Sequence, residues 1–332
     1  MRNVILIVAL LLAAMASPLA PGRSRASEPE WNPAIETRSF PAVPTRTDGT
    51  GAPIPSVPLV VLPPMAFLGV PHTQGCGLSQ SGGDFVEQLD GRSYRVHVPG
   101  GYSPTVATAL VVNFHGYGRT AAEQEAYSGL VPLSDREGFI LVTPEGSGSP
   151  QGWDIVGVYA EDGVDDVAFA GGLVDQVGDE LCVAPGQVFA IGLSNGAEMA
   201  SELACELPDT FAAVAAVAGL VYQGCEGGPV AVVAFHGTDD ENIYYDWIPE
   251  EWSSWARHNG CNGTETTQVS EHVEAMAATE CSGGADVVLY TIDGGGHTWP
   301  GAEDDAGGVG YTTHEIDASE LALQFFATHA RS

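Results

Sequence analysis

From Tyr94 onward, short apolar runs alternate with stretches of helical period. Tyr94 to Val98 alternates polar and apolar, as a half-buried strand does. Ala109 to Phe114 is apolar throughout except for Asn113, the pattern of a strand covered on both faces. Ala121 to Arg136 reads as a helix, and Phe139 to Thr143 as a second buried strand. Val164 to Leu181 is helical, with Asp165 and Asp166 in the first turn, where carboxylates favour the positive helix end. Strand Val188–Gly192 is followed by helix Asn195–Leu207, then by strands Phe211–Val217 and Val230–Phe235. Val287–Ile292 is the last strand and Ala318–Ala330 the closing helix. Strands and helices in alternation predict an α/β fold: a mostly parallel central sheet with helices on both faces.

The N-terminal part follows no such pattern. Met1-Arg2-Asn3 precedes an apolar run, Val4 to Ala16, too short to span a bilayer comfortably. Ala14-Met15-Ala16 offers small residues for cleavage, so residues 1–16 read as a secretory signal peptide. A cleavage site near Ala26 and an uncleaved anchor are the alternatives. Residues 17–72, rich in Pro, Thr, Ser and Gly, read as a linker or loosely attached arm. Residues 73–332 form the expected globular domain. No other stretch is long and apolar enough for a membrane helix, so no membrane anchor is expected once the signal is removed.

Six cysteines fit an oxidising, extracellular setting. Their wide spacing without Cys-x-x-Cys speaks against zinc. The close pairs Cys205–Cys225 and Cys261–Cys281 are the expected bridges, leaving Cys76 for Cys182. The formal net charge is −32, from 43 acidic residues against 11 basic ones, all Arg. Such a surface repels polyanions, which argues against nucleic acid as a partner. The acidic excess without Lys fits adaptation to salt, or a GC-rich genome. A monomer is expected.

The chemistry collects where strands end, the usual place for reactive groups in an open α/β sheet. Val188 to Gly192 stops abruptly at Gly192-Leu193-Ser194-Asn195-Gly196, and a helix begins. The Gly-x-Ser-x-Gly spacing suits a sharp turn that lifts a serine oxygen clear of the sheet. His115-Gly116-Tyr117-Gly118 follows Ala109–Phe114, and His236-Gly237-Thr238-Asp239-Asp240 follows Val230–Phe235. Gly294-Gly295-Gly296-His297-Thr298-Trp299-Pro300 follows Val287–Ile292. Serine, aspartate and histidine thus occur in order, 46 and 57 residues apart, each after its own buried strand.

A serine hydroxyl needs a base to take its proton, and the base needs an orienting carboxylate. Ser194 is the candidate nucleophile, His297 the base and Asp240 the acid, with Asp239 as the rival carboxylate. An oxyanion needs backbone N–H donors aimed at it. Asn195, the residue after the serine, and Tyr117, in the loop after Phe114, are the candidates. His115 is read as bracing that loop. No metal and no cofactor is expected, because a helix start accounts for Asp165 and Asp166.

These stretches, with Gly138-Phe139-Ile140-Leu141-Val142-Thr143-Pro144-Glu145-Gly146 and Val164-Asp165-Asp166-Val167, resemble the esterase family of polyhydroxybutyrate depolymerases, related to feruloyl and acetylxylan esterases. The resemblance runs in collinear order over about residues 75 to 330. It implies an α/β-hydrolase fold and a serine esterase using Ser194, Asp240 and His297. The family places its acid fifth in His-Gly-Thr-x-Asp, which favours Asp240. Two positions depart from the family pattern: Ala197 stands where the elbow usually has a second Gly, and Ile243-Tyr244-Tyr245 where Val-Pro-Tyr is usual. The implied substrate is a hydroxyalkanoate polyester or oligoester, with a feruloyl or acetyl ester on plant polysaccharide as the alternative. A catalytically silent binding protein is the reading from another class. Trp299, Trp153 and Tyr244 are the candidate substrate-contacting residues, as flat walls beside the site.

Overall fold

The predicted alternation folds as a ten-stranded sheet covered on both faces. The computed structural model describes residues 72–155, 164–303 and 308–331. The expected signal peptide and, save for His72, the arm lie outside the described residues.

β1 (Gly83–Leu89), β2 (Arg92–Val98), β3 (Thr108–Phe114) and β4 (Ile140–Pro144) come first in the chain. The two-residue strands β5 (Ser147–Gly148) and β6 (Gln151–Gly152) pair only with each other. β7 (Val183–Leu193), β8 (Ala213–Val217), β9 (Ala231–Gly237), β10 (Gly263–Gln268), β11 (Val273–Thr279) and β12 (Val287–Ile292) complete the set. The order across the large sheet is β1-β2-β4-β3-β7-β8-β9-β12-β11-β10. Pairings from β4 through β12 are parallel. Those at the two ends are antiparallel.

The pleat explains why β3 is apolar at nearly every position. Leu110, Val112 and Phe114 pack into the core on one face, with α3 (Asp166–Glu180), α4 (Asn195–Glu206) and α5 (Ile248–His258). Ala109 and Val111 face the other way, toward α1 (Ala121–Ser128), α2 (Leu130–Glu137) and α6 (Ala318–Thr328). A Leu or Phe buried like this contributes about 1.5–3 kcal/mol.

One predicted helix is two. Ala121 to Arg136 breaks at Gly129, which adopts φ 63° and ends α1 in the left-handed conformation that glycine tolerates. Thr120 starts α1 with a capping box: its side chain accepts from Glu123 N–H, and the Glu123 carboxylate accepts from Thr120 N–H. Asp165 caps α3, its carboxylate accepting from Ala168 N–H, which gives that acid a helix-starting role. β1, β5, β6, β10, β11 and α5 are additions to the predicted set. All three expected disulfides are present: Cys76–Cys182, Cys205–Cys225 and Cys261–Cys281.

The register lines up the carboxyl ends of the parallel strands. Phe114 of β3 lies opposite Gly192 of β7, which lies opposite Ala216 of β8. Gly237 of β9 lies opposite Ile292 of β12. The loops that follow carry His115, Ser194, Asp240 and His297, all at the same edge of the sheet.

Candidate active site

The turn at Ser194 is built by glycines. Ser194 adopts φ 54° and ψ −123°, a strained conformation for a residue with a side chain. A Cβ on Gly192 would stand 2.2 Å from the Gly196 carbonyl oxygen, and one on Gly196 would stand 2.2 Å from that of Phe114. Both positions therefore exclude any side chain, which is the physical content of the Gly-x-Ser-x-Gly spacing. The backbone fixes the turn from two sides: Ser194 N–H donates to Val217 O at 2.9 Å, and Ser194 O accepts from Ala197 N–H at 2.8 Å. Ser194 itself stays partly exposed.

His297 Nδ1 lies 2.8 Å from Asp240 Oδ2, and both residues are buried. Asp239, the rival, is exposed and holds its turn through its backbone N–H to Gly295 O. The other Asp240 oxygen accepts from Asn242 N–H at 2.8 Å and Ile243 N–H at 2.9 Å. Burial alone would push the Asp240 carboxyl up. The hydrogen bond from His297, the charge of that ring and the two backbone donors outweigh it and hold the carboxyl below its ordinary value. An ionised carboxylate only accepts, so Nδ1 of His297 carries the proton and Nε2 is left as a base.

His236, at the end of β9, supports the same acid. Its Nε2 is 2.8 Å from Ile243 O and 3.3 Å from Asp240 Oδ2. The carbonyl fixes the proton on Nε2, and burial keeps this imidazole below its ordinary pKa. His236 was visible in its motif but nothing in the sequence gave it this task. Glu198, in the first turn of α4, is the other neighbour that the sequence does not single out. Burial pushes its carboxyl up, against the Asn195 amide and the charge of His297. The histidine is thus within electrostatic reach of the helix that Ser194 begins.

The loop after β3 passes over the serine. A Cβ on Gly116 would lie 3.5 Å from Ser194 Cβ. His115 is buried and braced: Nδ1 donates to Gly116 O at 2.9 Å, and Nε2 accepts from Gly146 N–H at 2.9 Å. That pairing needs the neutral ring, and burial keeps its pKa down. Tyr117, next in the loop, lies against Gly152, where a Cβ would meet its ring at 2.7 Å and Asn195 Oδ1 at 3.2 Å. Asn195 opens α4, where backbone N–H groups have no acceptor within the helix. The two candidate oxyanion donors, Tyr117 and Asn195, thus belong to segments that flank Ser194.

The Asn195 side chain also clamps the neighbouring loop. Its Oδ1 accepts from Trp153 N–H at 2.7 Å, and its Nδ2 donates to Trp153 O at 3.1 Å. Asn195→Ala leaves a buried N–H and C=O unpaired, and should destabilise the fold by about 1–3 kcal/mol. The backbone N–H at position 195 remains in that variant. A thermal melt should therefore move down while measurable esterase activity persists; an unchanged midpoint would contradict the clamp.

Two of the expected substrate walls are corrected. Trp153 is 0% exposed, packs edge-on against Phe114, and donates from Nε1 to His115 O at 2.8 Å. Trp299 is 1% exposed and donates from Nε1 to Ser319 Oγ at 3.0 Å. Both indoles find polar partners inside the protein, so both pack as core. Tyr244 differs: it is 54% exposed and forms a T-shaped pair with Trp247, 57% exposed. Trp252, from the same aromatic segment, is buried, its Nε1 donating to Val287 O.

A buried histidine hydrogen-bonded to a carboxylate, on a loop at the same sheet edge as a strained serine turn, is an arrangement that suits acyl transfer. The family profile described as Esterase PHB depolymerase matches residues 92–237. Feruloyl esterase C of Emericella nidulans is 30% identical over 233 residues, covering 68% of this chain and 83% of that protein. Putative esterase NocK of Nocardia uniformis subsp. tsuyamanensis is 31% identical over 277 residues, covering 70% of this chain and 78% of the relative. Among solved structures, the acetyl xylan esterase from Aspergillus awamori superposes with TM-score 0.54 at 19% identity, over 66% of this chain and 94% of its own. That likeness carries the fold. The chain therefore belongs to the family of polyhydroxybutyrate depolymerase-like and feruloyl esterase-like carboxylic ester hydrolases, with the α/β-hydrolase fold.

Proposed function

We propose that this chain is a secreted serine esterase in which Ser194, His297 and Asp240 form the catalytic triad. The observation that carries the reading is the 2.8 Å contact between His297 Nδ1 and Asp240 Oδ2, on loops at the same sheet edge as the strained Ser194 turn. In this reading Ser194 Oγ attacks the ester carbonyl carbon while its proton passes to His297 Nε2. The Asn195 and Tyr117 backbone N–H groups stabilise the oxyanion. Collapse breaks the bond to the alcohol oxygen, which takes the proton from His297. Water then attacks the acyl carbon and gives a proton to His297; the bond to Ser194 Oγ breaks as His297 returns that proton to Oγ, which releases the acid and restores the serine hydroxyl. Three disulfides and the N-terminal charge and apolar pattern support export.

The substrate proposed first is a poly(3-hydroxybutyrate)-type polyester or its oligomers. The family profile and the exposed Tyr244–Trp247 pair a few residues after Asp240 support it. A feruloyl or acetyl ester on plant polysaccharide is the second reading, favoured by the named feruloyl esterase relative. Hydrolysis of a polyhydroxybutyrate film, methyl ferulate and acetylated xylan, measured side by side in low and high salt, separates them. Film turnover is the expected result; turnover of the ferulate or xylan ester alone would move the enzyme to plant-polymer deacylation.

A further inference from the structure

The loop that carries His297 rests on α1, the helix that the oxyanion loop leads into. Tyr127, in the last turn of α1, is buried, and its hydroxyl accepts the backbone N–H of Trp299 at 3.0 Å. Trp299 is two residues past His297. A Cβ on Gly308 would meet Tyr127 Oη at 2.5 Å and His297 O at 3.2 Å, so the returning chain closes tightly over both. Val309 N–H donates to His297 O at 2.9 Å, and Gly296 N–H to Tyr311 O at 2.9 Å. The histidine loop is thus held by the 309–311 segment along its length and by Tyr127 just past the histidine.

A second attachment runs beside the first. Trp299 Nε1 donates to Ser319 Oγ at 3.0 Å, and Ser319 Oγ donates to Ser128 O at 2.6 Å. Ser128 Oγ accepts from Asn113 Nδ2 at 3.2 Å, and Asn113 Oδ1 accepts from Gln124 Nε2 at 2.9 Å. Asn113 is a buried polar residue near the end of β3, two positions before His115. A continuous buried polar chain therefore joins the strand that ends at the oxyanion loop to the tryptophan of the histidine loop. Buried polar groups of this kind are costly unless every member is paired, and once paired they fix one arrangement.

We infer that Tyr127 is a positioning residue for His297, acting through the Trp299 main chain, and that the Asn113–Ser128–Ser319 chain seconds it. The inference rests on the triad proposed above. Its chemistry is geometric: His297 Nε2 must meet both the serine proton and the leaving oxygen, and a misplacement of about 1 Å can cost about a hundredfold in rate.

A double-mutant cycle tests it on a soluble activated ester such as p-nitrophenyl acetate. Tyr127→Phe removes the hydroxyl that accepts from Trp299 N–H and keeps the ring beside Trp299. It should lower kcat about tenfold, a partial form of that displacement cost, with KM little changed. In a His297→Ala background the residual rate should be nearly insensitive to Tyr127→Phe, because the residue it positions is gone. A merely structural residue would lower both rates by the same factor, and that result would overturn the inference. Ser319→Ala, which removes the indole's acceptor, repeats the cycle if Tyr127→Phe does not fold, with the same pattern expected and the same pattern fatal. Full activity in His297→Ala would overturn the triad and this inference together. Loss of activity in His297→Ala with additive cycles would overturn this inference alone.

Discussion

Ser194→Ala is expected to lower kcat by about four to six orders of magnitude while leaving the fold intact, because removing the nucleophile of the proposed triad removes the covalent route. The fold should tolerate the change. Ser194 holds the turn through its backbone, with N–H to Val217 O and O from Ala197 N–H, and those bonds survive in alanine. The φ of 54° is a strain that alanine would share with serine. The thermal midpoint should therefore stay close to that of the parent while hydrolysis of every ester disappears together. Loss on one ester with retention on another would point to a second nucleophile.

Asp240→Asn carries the second large effect. The carboxylate accepts from three donors, His297 Nδ1 and the Asn242 and Ile243 backbone N–H groups, and His236 Nε2 lies 3.3 Å from Oδ2. An amide keeps one acceptor oxygen and places NH2 on the other side. If the oxygen stays with the two backbone donors, the NH2 faces His297 and forces its proton onto Nε2, the nitrogen that must be free to act as base. A fall in kcat of about ten thousandfold is expected at neutral pH, with the protein folded, as for the equivalent change in other triads. A loss below about tenfold would say that the carboxylate is structural, since a buried hydrogen bond contributes only about 0.5–1.5 kcal/mol net. Because the carboxyl is held below its ordinary value, it stays charged throughout the range in which esterase activity would be assayed near neutrality.

The turn at Ser194 is legible in the sequence alone. Gly192 and Gly196 are forced by backbone contacts of 2.2 Å, so their spacing around Ser194 reports a real turn. The buried strands were legible because both of their faces are apolar, as in β3 and β12. The edge strands were not. β10 reads GTETTQ and β1 is mostly exposed, so neither shows an apolar run. The β1–β2 hairpin did carry a local signal, Asp90-Gly91 with φ of 51° and 81°, the dipeptide suited to a tight two-residue turn. The tryptophans failed for another reason. An indole after a strand end can face solvent or core, and only the distant acceptors His115 O and Ser319 Oγ decided the direction for Trp153 and Trp299. His236, Glu198 and Tyr127 were hidden for the same reason: each acts on a partner far away in the chain or across a turn.

The central claim is that Ser194 is an activated nucleophile. The most direct measurement is reaction of the purified mature protein with a fluorophosphonate, followed by peptide mapping. The account predicts one phosphonyl group on Ser194, formed quickly in the parent, slowly in Asp240→Asn, and absent in Ser194→Ala. An unlabelled Ser194 in folded protein, or a label on a different serine, would contradict it.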